Sequence, residues 1–515
     1  MLIFKKINEV KFYITLGDPG DIDELQQLFF AFRLKHPEHK FMPAYKNGNW
    51  DGNVKFITYI DRFMDSALAP IGLFHEMYNF MKLSEIEFKV IDNDFGIQHI
   101  NLDGFDDWLD VFESNRDKKI SEREYQYDAV KKAIKRNRCV LESPTGSGKS
   151  LILYTYMSWI LTHEFEEGEK FLLVVPGIDL VDQMANDLVD YGFNDDYISR
   201  IHGGTVKNFD NPIIISTWQS LYKRDIEFFE QFSGLVFDEA HRSKSKNMIY
   251  ISDNCINARF RLATSGTIQK ERFDRMTIIS NFGPVFGTTT TRDLISKGFL
   301  CDFYIKNIIV DWKKITNERQ KSFDVDGFQE EYQLIIDTPE RKDLVVDIIN
   351  NIYSEMNNNK DIPETLLVLS NRVEYIEQLY SELESSIGSS VFFIHGGVKS
   401  EIRSKILKYI KNRGGLLVAN ISIIGTGINI PNISKIVFAT TQKSEILTLQ
   451  SIGRSIRLSK GKNKAIIYDI TDNMKIKNGS SVIYSWLDYK KNIYSTNGFK
   501  YDDVHIDLNV DYNIS

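Results

Sequence analysis

Only three cysteines, Cys139, Cys255 and Cys301, occur in 515 residues. They lie far apart and form no C-x-x-C pair, which argues against a zinc site and a disulfide framework and leaves them as small buried hydrophobes. No run of eighteen uncharged apolar residues occurs, so no membrane-spanning helix is expected. The opening MLIFKKINEV sets charge where a secretory signal needs an apolar stretch, and a cytoplasmic protein is expected. A basic excess is missing as well, the net charge being −8. Residues 1–115 hold 11 of the 63 basic and 19 of the 71 acidic residues, so the rest of the chain is balanced at 52 of each. Such a remainder can still carry a basic groove, because phosphate recognition depends on local charge and on backbone N–H groups.

With 42% hydrophobic and 26% charged residues, the chain has enough apolar material for several cores. Residues 1–100 alternate short aromatic-rich runs (KFYITL, VKFITYI, EFKVID) with turn signals, around one amphipathic helix expected over Asp21–Lys35; this reads as a small α+β domain. Residues 101–120 are dense in acid (Asp103, Asp106, Asp107, Asp110) and read as a solvated linker, or as a short helix docked through Phe105, Trp108, Leu109 and Phe112. From 121 to 300, uninterrupted apolar runs (CVLE, FLLVV, PIIIS, GLVFD, RLATS) alternate with helical stretches, the pattern of parallel strands buried on both faces. The same rhythm returns over 301–475. The expected fold is therefore α/β, with two tandem parallel-sheet lobes behind the α+β domain, and 476–515 forms a C-terminal extension rich in Tyr and Asn.

Glu142-Ser-Pro-Thr-Gly-Ser-Gly-Lys-Ser150 follows one of these strands and precedes a helix. Gly146 and Gly148 let the backbone curl so that, after Pro144, successive N–H groups from Thr145 through Ser147 face one anion at a helix N-terminus. Lys149 then reaches the β/γ-phosphates of ATP and the Ser150 hydroxyl meets Mg²⁺. Ser143 stands where the strict phosphate-loop pattern has its first Gly. About ninety residues on, Asp238 and Glu239 of Val236-Phe-Asp-Glu-Ala-His241 end another strand: Asp238 can hold Mg²⁺, partly through water, and Glu239 can polarise the attacking water. In isolation an acidic pair after a strand caps a helix; beside a phosphate loop it reads as catalytic.

Together these residues resemble superfamily 2 helicases of the DEAH-box type, and the resemblance implies two RecA-like lobes. Arg123-x-Tyr-Gln126 is similar to the family's adenine-reading element. Val175-Pro176-Gly177 and Ser216-Thr217-Trp218-Gln219 resemble its strand-end motifs for the nucleic-acid backbone. Ser265-Gly266-Thr267, with His241, resembles the coupling motif, although Gly266 replaces the usual Ala. In the second lobe Leu369-Ser370-Asn371, Ile424-Gly-Thr426-Gly427-Ile428 and Gln450-Ser-Ile-Gly-Arg454-Ser-Ile-Arg457 follow in the family's order. The resemblance assigns Gly427 to ATP, Ser370, Asn371 and Thr426 to nucleic acid, and Gln450 to catalysis. Arg454 and Arg457, expected on one helical face, would reach a γ-phosphate held by the other lobe.

Phe41-Met-Pro-Ala-Tyr-Lys46-Asn-Gly-Asn-Trp50-Asp-Gly52 and Pro70-Ile-Gly-Leu73 make the chain similar to phage UvsW-type helicases. This implies ATP-dependent, 3′→5′ remodelling of branched DNA (Holliday junctions, forks, D-loops and R-loops) in recombination, replication and repair, by a monomer in the host cytoplasm with single-strand-binding or recombination proteins as partners. Lys46, Trp50, Lys55 and Tyr59 form a basic-aromatic DNA face, or else Trp50 and Tyr59 are packing residues. The acidic first domain alternatively binds a protein or covers the groove. An ATP-gated annealing module and an RNA helicase would use the same residues; a phosphate-loop kinase or transporter ATPase has no use for 450–457.

Overall fold

The computed structural model describes all residues except 61, 93–99, 115–122, 202–208, 243–244, 269–270, 315–322, 324, 326, 358–362, 425–429, 442, 460–461, 463, 477–478 and 511–515. The chain divides into two compact units, Met1–Thr289 and Thr290–Ser515.

The first unit opens on a mixed sheet of β1 (Leu2–Lys6), β2 (Lys11–Leu16), β5 (Thr58–Tyr59), β6 (Ser66–Pro70) and β7 (Phe88–Val90), ordered β5-β6-β2-β1-β7, beside a separate pair, β3 (Arg33–Lys35) and β4 (Asn53–Lys55). Alternation sends Leu2, Phe4, Phe12 and Ile14 inward. They share a core with Leu25, Leu28 and Phe29 of one helix and Met77 and Met81 of another. The helix expected over 21–35 spans only Ile22–Ala31, because Arg33–Lys35 pairs with Asn53–Lys55 as strand. Tertiary pairing overrides the local helical pattern there.

This small domain packs directly on the rest of the first unit. Met276 and Ile279 of the helix Arg272–Phe282 belong to its core, and Arg138, buried at the start of the strand Arg138–Glu142, donates from Nη2 to the Glu9 carbonyl at 2.9 Å and carboxylate at 3.1 Å. Gly72 lies so close to the helix Arg272–Phe282 that an added Cβ would sit 2.1 Å from the Ile279 carbonyl oxygen. Gly72→Ala is therefore expected to cost about 1–3 kcal/mol, read as a lowered denaturation midpoint; an unchanged midpoint would show that the domain docks loosely.

Beyond it, β8 (Arg138–Glu142), β9 (Lys170–Val175), β10 (Ile198–Ile201), β11 (Ile213–Thr217), β12 (Phe232–Asp238), β13 (Phe260–Ser265) and β14 (Val285–Gly287) form one sheet ordered β10-β11-β9-β12-β13-β8-β14. Every pairing is parallel. Phe171–Val175 and Ile213–Ile215 are wholly buried, as strands covered on both faces require. In the helix Lys149–His163 every residue from Leu151 to Ile160 is buried, since it is apolar all round. Of the two readings of 101–120, the docked helix is the one observed: Phe105–Ser114 buries Phe105 and Leu109 in this core, Trp108 stacks on Phe112 at 4.4 Å, and Asp106, Asp107 and Asp110 stay exposed.

The second unit begins just before the helix Thr291–Ser296, eleven residues ahead of the expected boundary. Its sheet comprises β15 (Asp302–Lys314), β16 (Thr365–Ser370), β17 (Val391–Ile394), β18 (Gly415–Asn420), β19 (Ile433–Phe438), β20 (Lys464–Asn473) and, after a small hairpin of β21 (Lys475–Ile476) and β22 (Gly479–Ser480), β23 (Tyr501–Val510). The order is β17-β18-β16-β19-β20-β15-β23, again all parallel. The residues after 475 are thus no appendage, because β23 pairs with β15 along ten residues. All three cysteines are buried and free, and no helix among the described residues is long and apolar enough to cross a membrane.

Candidate active site

Parallel strands bring their C-terminal ends to one edge, where ligand-binding loops gather. In the first unit the register sets Asp238 beside Thr264, Ser265 beside Glu142 and Thr217 beside Val175. The phosphate loop after β8 and the Asp238-Glu239 pair after β12 therefore flank Ser265–Thr267, which follows β13. The loops at Pro176–Gly177 and Thr217–Trp218 lie on the other half of the same edge.

Gly146 and Gly148 take φ of +85° and +82°, the left-handed region open to glycine. Gly148 caps the helix that begins Lys149-Ser150, which sets a helix N-terminus at the loop, as a phosphate needs, while the Ser147 N–H donates to the Pro144 carbonyl at 3.1 Å. Lys149 Nζ lies 3.4 Å from the Ser143 carbonyl and 3.9 Å from Glu239 Oε1. Thr145 Oγ1 and Lys149 Nζ would be 3.5 and 3.7 Å from a Cβ on Gly266. Those are ordinary contacts, so the departure to Gly at that position leaves the alanine space intact.

Asp238 accepts from Thr264 Oγ1 at 2.8 Å and from the Glu239 N–H at 3.0 Å. Burial, then the charge of Glu239, raises its carboxyl above the ordinary range, against the pull of Lys149 and the Thr264 bond. Glu239 itself has φ of +59°, a conformation that costs a non-glycine residue about 1–3 kcal/mol and gathers at functional sites. Its Oε2 is 3.3 Å from His241 Nδ1. The same nitrogen is 3.2 Å from Ser265 Oγ, which donates to the Thr267 carbonyl at 2.9 Å. The expected coupling residues His241, Ser265 and Thr267 thus form one chain of contacts leading away from Glu239.

The adjacent carboxylates Asp238 and Glu239, together with the Ser150 hydroxyl of the phosphate loop, would make a hard oxygen donor set that fits Mg²⁺, an ion that keeps waters and shares phosphate oxygens. No group of three or more acidic, His or Cys side chains able to hold a metal occurs among the described residues.

Gln126, expected to read adenine, is buried against the phosphate loop. Its Nε2 donates to the Ser147 carbonyl at 2.8 Å and its Oε1 accepts from the Arg123 N–H at 2.8 Å, so the buried amide is engaged with the chain at both ends. Arg123 donates to the Tyr125 hydroxyl at 3.1 Å, which in turn donates to the same Ser147 carbonyl at 2.5 Å.

The expected nucleic-acid residues divide. Gly177 is partly exposed at the N-terminus of the helix Ile178–Tyr191, a placement that suits a phosphate. Pro176 and Thr217 are buried, the latter's hydroxyl 3.1 Å from Ser220 Oγ, and half-buried Trp218 packs against the core. These three support the loops from inside. Lys46 is exposed. Trp50 donates to the Asn53 carbonyl at 2.8 Å, and Tyr59 stacks on Phe29 at 4.7 Å, a core contact. A cavity of about 1210 Å³ lies between the small domain and the first parallel sheet's helices, lined by Trp50, Lys55, Phe273, Trp218, His241 and Lys246 among others.

In the second unit, Ser370 is 2% exposed and its hydroxyl lies 2.8 Å from Thr440 Oγ1, whereas Asn371 beside it is exposed. Gln450 and Arg454 stand one turn apart on the helix Glu445–Ser455. Arg457 falls after that helix ends, not on its face as expected, and its carbonyl accepts from Lys462 Nζ at 2.8 Å. Thr426 and Gly427 lie outside the described residues.

Residues 119–270 match the family described as type III restriction enzyme, res subunit, and residues 344–459 match the helicase conserved C-terminal domain. The chain is a superfamily 2 helicase. This helicase is 28% identical over 456 residues to the ATP-dependent DNA helicase uvsW of Enterobacteria phage T4, across 87% of its own length and 86% of the relative's. It is also 28% identical over 206 residues to the DNA 3'-5' translocase XPB2 of Sulfurisphaera tokodaii, across 40% of the chain and 43% of that protein. The crystal structure of T4 UvsW shares the helicase's fold at a TM-score of 0.50, over 98% of this chain and 99% of that one, with 24% identity. A fragment of a putative HsdR subunit of a type I restriction enzyme from Vibrio vulnificus YJ016 does so at 0.55, over 78% and 72%, with 18% identity.

Superfamily 2 helicases use ATP, and the helicase's first unit holds side-chain contacts that motif reading did not show. Thr264 orients Asp238, and Tyr125 and Gln126 converge on one loop carbonyl. Thr264 was detectable, since it stands one residue before the coupling motif. Tyr125 and Gln126 stood inside the motif Arg123-x-Tyr-Gln126, but nothing in its spacing points to the Ser147 carbonyl as their partner.

Proposed function

We propose that this helicase moves 3′→5′ on DNA and remodels branched structures such as junctions, forks, D-loops and R-loops. In this reading the loop N–H groups and Lys149 bind the β/γ-phosphates of ATP, Ser150 and Asp238 hold its Mg²⁺, and Glu239 orients the attacking water and takes its proton. Mg²⁺ supplies neutralisation of the phosphate charge. The family resemblance assigns Arg454 and Arg457 to the charge that develops on the transferred group, a task that suits a guanidinium. The contacts from Glu239 through His241 to Ser265 give hydrolysis a route to the rest of the first unit's edge, where Gly177 takes a strand phosphate without reading sequence; Asn371 of the second unit is assigned the same kind of contact by the family resemblance.

The observation that carries the branched-DNA reading is the cavity that joins Trp50 and Lys55 of the small domain to Trp218 and His241 of the motor. Aromatic faces there suit unpaired bases. The likeness to the T4 uvsW helicase supports the same reading, since it extends over 87% of the chain. The test measures ATP turnover and strand separation with single-stranded DNA, duplex, fork, four-way junction, RNA duplex and R-loop, with Lys149→Ala as control. A junction that neither stimulates hydrolysis nor is remodelled sinks the proposal, and stimulation by RNA duplex alone makes the protein an RNA helicase. Annealing without unwinding identifies an ATP-gated clamp. Trp50→Ala is expected to weaken junction binding about tenfold, as loss of one stacked base would; unaltered affinity would leave Trp50 as a turn-packing residue.

A further inference from the structure

Glu142 and Ser143 join the end of β8 to the phosphate loop, and both are held from a strand-end segment outside every motif. Thr288, the residue after β14 and one before the first unit ends, donates from its N–H to the Glu142 carbonyl at 3.0 Å. Its hydroxyl lies 2.9 Å from Ser143 Oγ and 3.3 Å from the same Glu142 carbonyl. Ser143 Oγ, fully buried, lies 2.7 Å from Ser147 Oγ, also fully buried. Ser147 is the residue between the two left-handed glycines, and its carbonyl is the one gripped by Tyr125 and Gln126. Three hydroxyls in a row, two of them inaccessible to solvent, thus tie the centre of the loop to Thr288.

We propose that Thr288 is a positioning residue for the nucleotide loop, acting through the Ser143 hydroxyl to hold Ser147 in the loop conformation that receives phosphate. The inference rests on reading Pro144–Ser150 as the nucleotide loop. Buried hydroxyls satisfy one another here, so removing the outermost leaves Ser143 with an unmet bond and frees its rotamer, and through it that of Ser147. The Ser143 side chain thereby meets a hydroxyl from the point where the chain leaves the first unit. A Ser in place of the strict pattern's first Gly gains a use: its side chain is the middle link.

The test uses the full chain. Thr288→Val keeps the shape and removes the donor; Thr288→Ser keeps the donor. Thr288→Val is expected to weaken binding of a fluorescent ADP analogue, and to raise KM for ATP, by about three- to tenfold with kcat changed less than about twofold. Thr288→Ser restores both. Because the effect passes through Ser143, Ser143→Ala alone and Ser143→Ala with Thr288→Val should show the same loss. The inference is overturned by a Thr288→Val protein with wild-type ADP affinity, by losses that add in the double variant, or by a fall in melting temperature that Thr288→Ser shares. Lys149→Ala separates the two levels: if it leaves ADP binding and turnover intact, the loop reading itself fails, whereas its expected loss beside an unaffected Thr288→Val removes only the role of Thr288.

Discussion

Glu239→Gln is expected to retain ATP and to turn it over about 10³-fold more slowly, within the range of a general base's contribution. The substitution keeps shape and removes the charge that sits 3.9 Å from Lys149 Nζ and 3.3 Å from His241 Nδ1. The phosphate-holding groups, the loop N–H donors and Lys149, are untouched, so affinity for a fluorescent ATP analogue should stay within about threefold while steady-state turnover collapses, the signature of an interaction used in the chemical step. Asp238, buried and already raised above the ordinary carboxylate range by burial and by Glu239, should relax toward that range once its neighbour is neutral. A Glu239→Gln enzyme with undiminished turnover would place the base elsewhere. Loss of binding together with turnover would instead assign Glu239 to holding the loop through Lys149.

How far the sequence foretold this site depends on the kind of contact. Uninterrupted apolar runs identified β8, β9, β11, β12 and β13, since strands buried on both faces carry no alternation, and each of these five ends in a motif; the short β10 and β14 escaped notice. Strand order was out of reach: nothing in the spacing tells that β13 inserts between β12 and β8, which is what seats Ser265 between Asp238 and the phosphate loop. Side-chain partners inside the protein were equally hidden, so Gln126 was read toward adenine when its amide holds Ser147 and Arg123. Ser370 and Thr217 matched strand-end motifs yet point inward, because the last residue of a buried strand can face either side. The Tyr- and Asn-rich tail failed for another reason. β23 is an edge strand with little of its length buried, so it never forms the apolar run by which its partners were found.

That tail carries the largest expected stability effect: a chain ended at Ile476 should not fold its second unit. Lys490, 1% exposed, donates to both oxygens of Asp469 at 2.6 Å, and the Tyr494 hydroxyl adds a third bond at 2.8 Å. Glu331, fully buried, accepts from the Ser481 hydroxyl and from the Val482 N–H at 2.9 Å, at the start of the helix Val482–Thr496. Truncation strips the partners from two buried carboxylates and uncovers the β15 edge along ten paired residues. Each orphaned charge costs about 3–5 kcal/mol, and the sum meets the whole stability of an ordinary domain, about 5–15 kcal/mol. The point version is Lys490→Met, expected to lower unfolding free energy by about 3–5 kcal/mol in denaturant titration. Adding Asp469→Leu should recover part of that loss, because removing both charges ends the penalty for burying one alone, although the Tyr494 hydroxyl then lacks its acceptor. A truncated chain that purifies with a cooperative unfolding transition of both units, or a Lys490→Met protein as stable as the parent, would show that these contacts of residues 477–515 do not hold the second unit together.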